Sequence, residues 1–166
     1  MKNLIACLLL LTLLMVSGIP VIAGDNFSNE KALKGVSEAN IYFDVSLGDP
    51  AMLILRLDLI DRTISQLKGA GIATNGVVGF RGQASRYITI DEHYVLEEEI
   101  GKKAKIQEWI KKLSAADGIT IEQCSIAAKQ QGIEHTDVLP EVTVVKNGYV
   151  SLVGYQMKGF AVIPLD

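Results

Sequence analysis

Residues 39–80, "ANIYFDVSLGDPAMLILRLDLIDRTISQLKGAGIATNGVVGF", decide the fold. Ile41, Tyr42, Phe43 and Val45 form a short, nearly continuous apolar run, and Gly48, Asp49 and Pro50 stop it. That pattern predicts a buried strand. Leu53, Leu57, Ile60, Ile64 and Leu67 then recur at helical spacing, with Arg56, Asp58, Asp61, Arg62 and Lys68 between them. An apolar stripe of this period is the core-facing side of a helix over 50–69. Asp49 suits its N-cap and Pro50 its first turn, and Gly69 and Gly71 end it. A second apolar run over 73–82 ends in Phe80-Arg81-Gly82.

The same alternation continues downstream. Residues 83–101 are less regular and include an acidic run, Glu97-Glu98-Glu99, that reads as a solvated face. Ile106, Trp109, Ile110 and Leu113 mark a helix over 102–116. "ITIEQCS" is a third strand, and "IAAKQQG" a short helix that Gly132 closes. "VTVVKNG" (142–148) is a fourth strand. Tyr149, Leu152, Val153, Gln156 and Met157 recur at helical spacing up to Gly159, and "FAVIP" (160–164) is the last strand. Strands alternating with helices, each strand apolar on both faces, predict an α/β fold. It is a three-layer α/β/α sandwich around a mostly parallel five-stranded sheet, flavodoxin- or Rossmann-like.

The ends of the 166-residue chain divide differently. Residues 1–23 carry one positive charge at Lys2, an apolar run from Leu4 to Val16, a break at Gly18 and Pro20, and a cut site after Ala23. That is the layout of a secretory signal peptide rather than of a membrane span of roughly 20 residues. Cleavage leaves no stable membrane insertion and an exported protein, placed in the periplasm. Residues 24–38 are polar and without periodicity, a flexible lead-in, and 39–166 form one domain. The formal charge is −3 with no basic cluster, which argues against nucleic acid as a partner.

Ligands of an open parallel sheet bind outside the carboxyl ends of the strands. Those ends hold Ser46–Asp49, Arg81–Ser85, Cys124–Ser125 and Asn147–Tyr149. Neither a G-x-G-x-x-G nor a G-x-x-x-x-G-K-[ST] motif occurs, so no nucleotide cofactor is expected. His93 and His135 have no ligand at helix-face spacing, so no metal site is expected either. Of the two cysteines, Cys7 falls in the leader and Cys124 remains alone. A lone cysteine is either a buried, inert hydrophobe or a free thiol. Its place, at a strand's carboxyl end just before a helix, favours the second, because a helix N-terminus stabilises a thiolate. Without a C-x-x-C pair, a single thiolate is suited to attack sulfane sulfur and hold it as a persulfide.

"IYFDVSLGDP", "GVVGFRGQAS", "TIEQCSIAAKQQGI" and "VTVVKNGYVSLVGYQMKGFAVI" together resemble the DsrE/DsrF-like family over residues 39–164. The most specific part is the terminal pattern of Asn147, Gly148, Tyr149, Leu152, Tyr155, Gln156, Lys158, Gly159 and Phe160. The resemblance implies a single α/β domain, homo-oligomers (trimer or hexamer), and sulfur carried as a cysteine persulfide for a thiol or sulfur-carrier partner. Cys124 matches the cysteine that many members carry after the third strand. Arg81, Gly82, Ser125, Asn147, Gly148 and Tyr149 are the substrate-binding candidates around it. Where members often have a histidine before glycine, this chain has Arg81-Gly82, a cation that binds anions but is no base. The alternative is a small-ligand-binding or assembly module whose cysteine is unused, and a third is an enzyme with a cysteine nucleophile.

Overall fold

The computed structural model describes residues 27–166, so the signal-peptide expectation for 1–23 lies outside the described residues. Glu30–Leu33 forms one short helical turn, α1, with no buried residue. The sheet has five strands: β1 (Glu38–Val45), β2 (Ala73–Phe80), β3 (Ile119–Cys124), β4 (Thr143–Val145) and β5 (Ala161–Leu165). β1 begins at Glu38, within the expected lead-in. Strand order is β4-β3-β2-β1-β5, and every neighbouring pair is parallel. The helices are α2 (Pro50–Gly69), α3 (Ile100–Ser114), α4 (Ser125–Gln130) and α5 (Gly148–Met157). The irregular stretch expected over 83–101 consists of 3₁₀ segments, Gly82–Ile88, Glu92–Tyr94 and Glu97–Glu99, and α3 starts at Ile100 rather than 102. The architecture is the three-layer α/β/α sandwich.

The strand order fixes which layer each helix joins. From β1 to β4 the chain steps three times in one direction across the sheet. Right-handed crossovers then put α2, α3 and α4 on one face. The single return, from β4 to β5 at the opposite edge, carries α5 over the other face. One layer is therefore thick and the other is a ten-residue helix.

The thick side holds the core. Leu53, Leu57, Ile60 and Ile64 of α2 and Ile106, Ile110 and Leu113 of α3 pack on Ile41, Phe43, Val45, Val78, Phe80 and Ile121. Each fully buried Leu or Ile contributes roughly 1.5–3 kcal/mol. Leu67 and Trp109, expected in the same stripes, sit partly buried at its rim. Asp49 caps α2 as the sequence predicts: Met52 N–H donates to its side chain at 2.8 Å. Below the 3₁₀ segments Lys103 is almost wholly buried and donates to Thr89 Oγ1 at 2.7 Å and to the Asp91 carbonyl. Burial pushes this amine below its ordinary pKa.

The side facing α5 corrects two expectations. The strands are not apolar on both faces: Asp44 and Glu122 are buried there. The apolar stripe of α5 is turned outward as well, with Tyr149, Val153 and Met157 exposed. Its only buried residue is Gly148, and Ser151, Leu152 and Tyr155 are half-buried toward the sheet. Helical spacing gives the period of a stripe but not its phase relative to a polar sheet.

Candidate functional site

Cys124 ends β3 and stands at the N-cap position of α4, but its side chain does not cap that helix. The sulfur instead accepts the backbone N–H of Gly148 at 3.2 Å, across from β3 to the first turn of α5. The donor that reaches the sulfur thus comes from the start of α5 and not from α4, the helix adjacent in sequence. The approach is close: a Cβ at position 148 would lie 3.1 Å from the Cys124 Cβ and 3.5 Å from its sulfur. A side chain at position 148 would crowd the cysteine, so glycine suits the start of α5 over it. Asn147 caps α5, its side chain accepting from Tyr149 N–H at 3.0 Å. Cys124 is 6% exposed.

Arg81 leaves the end of β2 and is engaged elsewhere. Its Nε and Nη2 donate to the two carboxylate oxygens of Asp44 at 2.7 and 2.8 Å, a bidentate pair. Its guanidinium also lies 5.1 Å from the ring centroid of Tyr149. The Asp44 partner holds the Arg81 pKa above its ordinary value. Arg81 thus ties β1, β2 and the first turn of α5 together, and makes no hydrogen bond to Cys124. Gly82 opens the following 3₁₀ segment against the Ser46 backbone. Ser125 starts α4 beside Cys124.

Sequence reading missed a polar cluster on the same face. Glu122, two residues before Cys124, accepts from Ser151 Oγ at 2.5 Å and from Tyr155 Oη at 2.9 Å. Tyr42 lies across Gly79, where an added Cβ would fall 2.0 Å from its hydroxyl, and its ring is 5.6 Å from that of Tyr155. Burial first, then the charges of Glu122 and Asp44, raises the Tyr42 pKa well above its ordinary range. Burial, followed by the hydrogen bond to Glu122, pushes Tyr155 up to about 12. The cluster is therefore a set of neutral phenols held against carboxylates. A signal for it exists in the sequence: "IYFDV" and "TIEQC" each interrupt an apolar strand with one carboxylate, and a period of two puts Tyr42 and Asp44 on different faces from Phe43.

The structure thus brings Cys124, Gly148 and Asn147 together at one point, and Arg81 with Tyr149 at a second. Both lie at the carboxyl edge of the sheet, around the start of α5. Among the described residues, no helix is long and apolar enough to cross a membrane.

No protein-family model matches the chain. It is 31% identical over 122 residues to an uncharacterized protein of Aquifex aeolicus, an alignment covering 74% of this chain and 54% of that protein. The chain therefore spans about half the length of the curated relative it matches. Among solved structures, a protein of unknown function from Methanobacterium thermoautotrophicum is similar with a TM-score of 0.57 at 18% identity. That match covers 76% of this chain and 98% of the other, and the likeness is one of fold.

Proposed function

We propose that the chain is an exported DsrE-like protein that carries sulfane sulfur on Cys124. The observation that supports this reading best is the Gly148 N–H aimed at the Cys124 sulfur from the first turn of α5. A backbone donor at a helix N-terminus stabilises a sulfur anion, and the glycine leaves no side chain over it. In the loading step the Cys124 thiolate attacks the outer sulfur of a persulfide donor, R–S–SH. A Cys124 S–S bond forms, the donor's S–S bond breaks, and the donor leaves as its thiolate. In the unloading step an acceptor thiolate attacks the outer sulfur, becomes a persulfide and releases the Cys124 thiolate. No external oxidant or reductant is consumed.

The test is intact-mass measurement of the protein after incubation with polysulfide. The expected result is an increment of about 32 Da, one sulfur atom, absent in Cys124→Ser and removed by excess thiol. No increment, together with slow alkylation of Cys124 in the native state, sinks the relay. The protein would then fit the second reading, a ligand-binding or assembly module with an unused cysteine, which the burial of Cys124 favours. Under either reading the protein is exported to the periplasm and self-associates, as a trimer or hexamer, through the outward stripe of α5. The exported form is expected to begin at Gly24 when its mass is measured.

A further inference from the structure

We infer a binding site for a small amphiphilic organic acid in the groove between α4 and α5 at the end of β4, beside the Cys124 site and sharing Ser125 and Asn147 with it. The site does not depend on the thiol chemistry. A cavity of about 770 Å³ opens there, a volume within the usual range for small-molecule sites. Its apolar wall is Ile126 from α4, Val145 from β4 and Val150 from α5. Every charged side chain lining it is a lysine: Lys129, Lys146 and Lys158, one from each of the three elements or the residues just after them. None of the three makes a salt bridge among the described residues, and no Asp or Glu lines the groove. In a chain with a net charge of −3, three lysines on the lining of one groove with no carboxylate among them are complementary to an anion.

The chemistry of the wall narrows the class. Aliphatic side chains along one side favour an aliphatic or aromatic body, which inorganic anions lack. Ammonium groups around it favour a carboxylate or sulfonate head, which neutral apolar molecules lack. Gly154 lines the same groove, and an added Cβ there meets nothing within 4 Å. Position 154 on the groove's lining thus has open space for a side chain. The groove is separate from the outward stripe of Tyr149, Val153 and Met157, which occupies the adjacent face of α5.

The probe is 8-anilinonaphthalene-1-sulfonate, an apolar sulfonate, titrated by fluorescence into the native full chain, with octanoate and octanamide as competitors. The expected result is saturable single-site binding, displaced by octanoate at a concentration about tenfold below that needed for the neutral amide. The surface double variant Lys146→Glu/Lys158→Glu should weaken the probe by about tenfold, and Gly154→Trp, which fills the groove, should abolish saturable binding. Circular dichroism of both variants should match the parent. Binding that never saturates, equal displacement by acid and amide, or an unchanged Gly154→Trp overturns the assignment. So does fluorescence that falls with protein concentration as a dimer forms, because the groove would then belong to an interface between copies.

Discussion

At the scale of single residues, position 148 is where packing and chemistry meet. Gly148→Ala should cost about 1 kcal/mol in urea denaturation, because crowding against Cys124 of about 1–3 kcal/mol outweighs the better helix preference of alanine. Gly154→Ala in the same helix has open space around it, and should instead gain roughly 0.5–1 kcal/mol. Arg81→Ala leaves the nearly buried Asp44 carboxylate without its fork of donors, and should lose about 2 kcal/mol. Arg81→Lys should recover only part of that, since an ammonium does not make the bidentate pair. The residue types at these points were legible in the sequence, but their partners were not. Arg81 was expected to serve an anion, and Asp44, which neutralises it, sat in plain view as the one charge in the apolar run Ile41–Val45.

The phenols give the molecule a pH signature. Tyr42, Tyr87 and Tyr155 all have folded pKa values raised above the unfolded value near 10, with Tyr87 and Tyr155 at about 12. Above pH 10 the unfolded chain loses phenolic protons that the folded chain keeps. The stabilisation is therefore full below about pH 10; the share of Tyr87 and Tyr155 disappears as pH rises through about 12, and that of Tyr42 outlasts it. Urea midpoints should fall steadily across that interval, and a tyrosinate absorbance titration should show at least three of the five tyrosines delayed in the native state. Glu122→Gln should move the Tyr155 titration downward. It should stop short of the ordinary value, because burial, the larger cause, remains.

At the scale of elements, α2 shows how far local sequence carries. Its stripe, cap and stop signals were all readable, and the helix occupies the expected residues 50–69. Asp49→Ala should cost about 1 kcal/mol by removing the acceptor for Met52 N–H. For α5 the sequence yielded a helix but the wrong inner face. Its stripe points outward, and its inner contacts are hydrogen bonds from Ser151 and Tyr155 to Glu122. Periodicity detects burial against an apolar surface, and this helix lies on a polar one. The 3₁₀ segments over 82–99 escaped for a related reason. They are held by particular long-range bonds, such as Tyr87 Oη donating to the Gly48 carbonyl at 2.7 Å, which leave no periodic trace.

At the scale of the whole molecule, fold class followed from alternation alone, but strand order did not, since several orders satisfy alternating strands and helices. The observed order has the consequence that one layer is a single helix with an apolar outer stripe. Exposed contiguous apolar surface marks an interaction site. Light scattering should therefore give a mass above that of one chain, and Val153→Glu/Met157→Glu should return it to the monomer without lowering the urea midpoint by more than about 0.5 kcal/mol. A monomeric parent protein would remove the assembly reading.

The pairing of the first strand with the last carries a consequence for synthesis. β1 is flanked by β2 and by β5, which ends at Leu165. A ribosome delivers the chain from its N-terminus, so β1, β2, β3 and β4 can pair while one edge of β1 stays open. That edge presents backbone groups along Ile41–Val45 until Ala161–Leu165 emerges to cover them. The second neighbour of β1 is therefore the last of the five strands to be made, and this topology leaves the sheet open until it arrives.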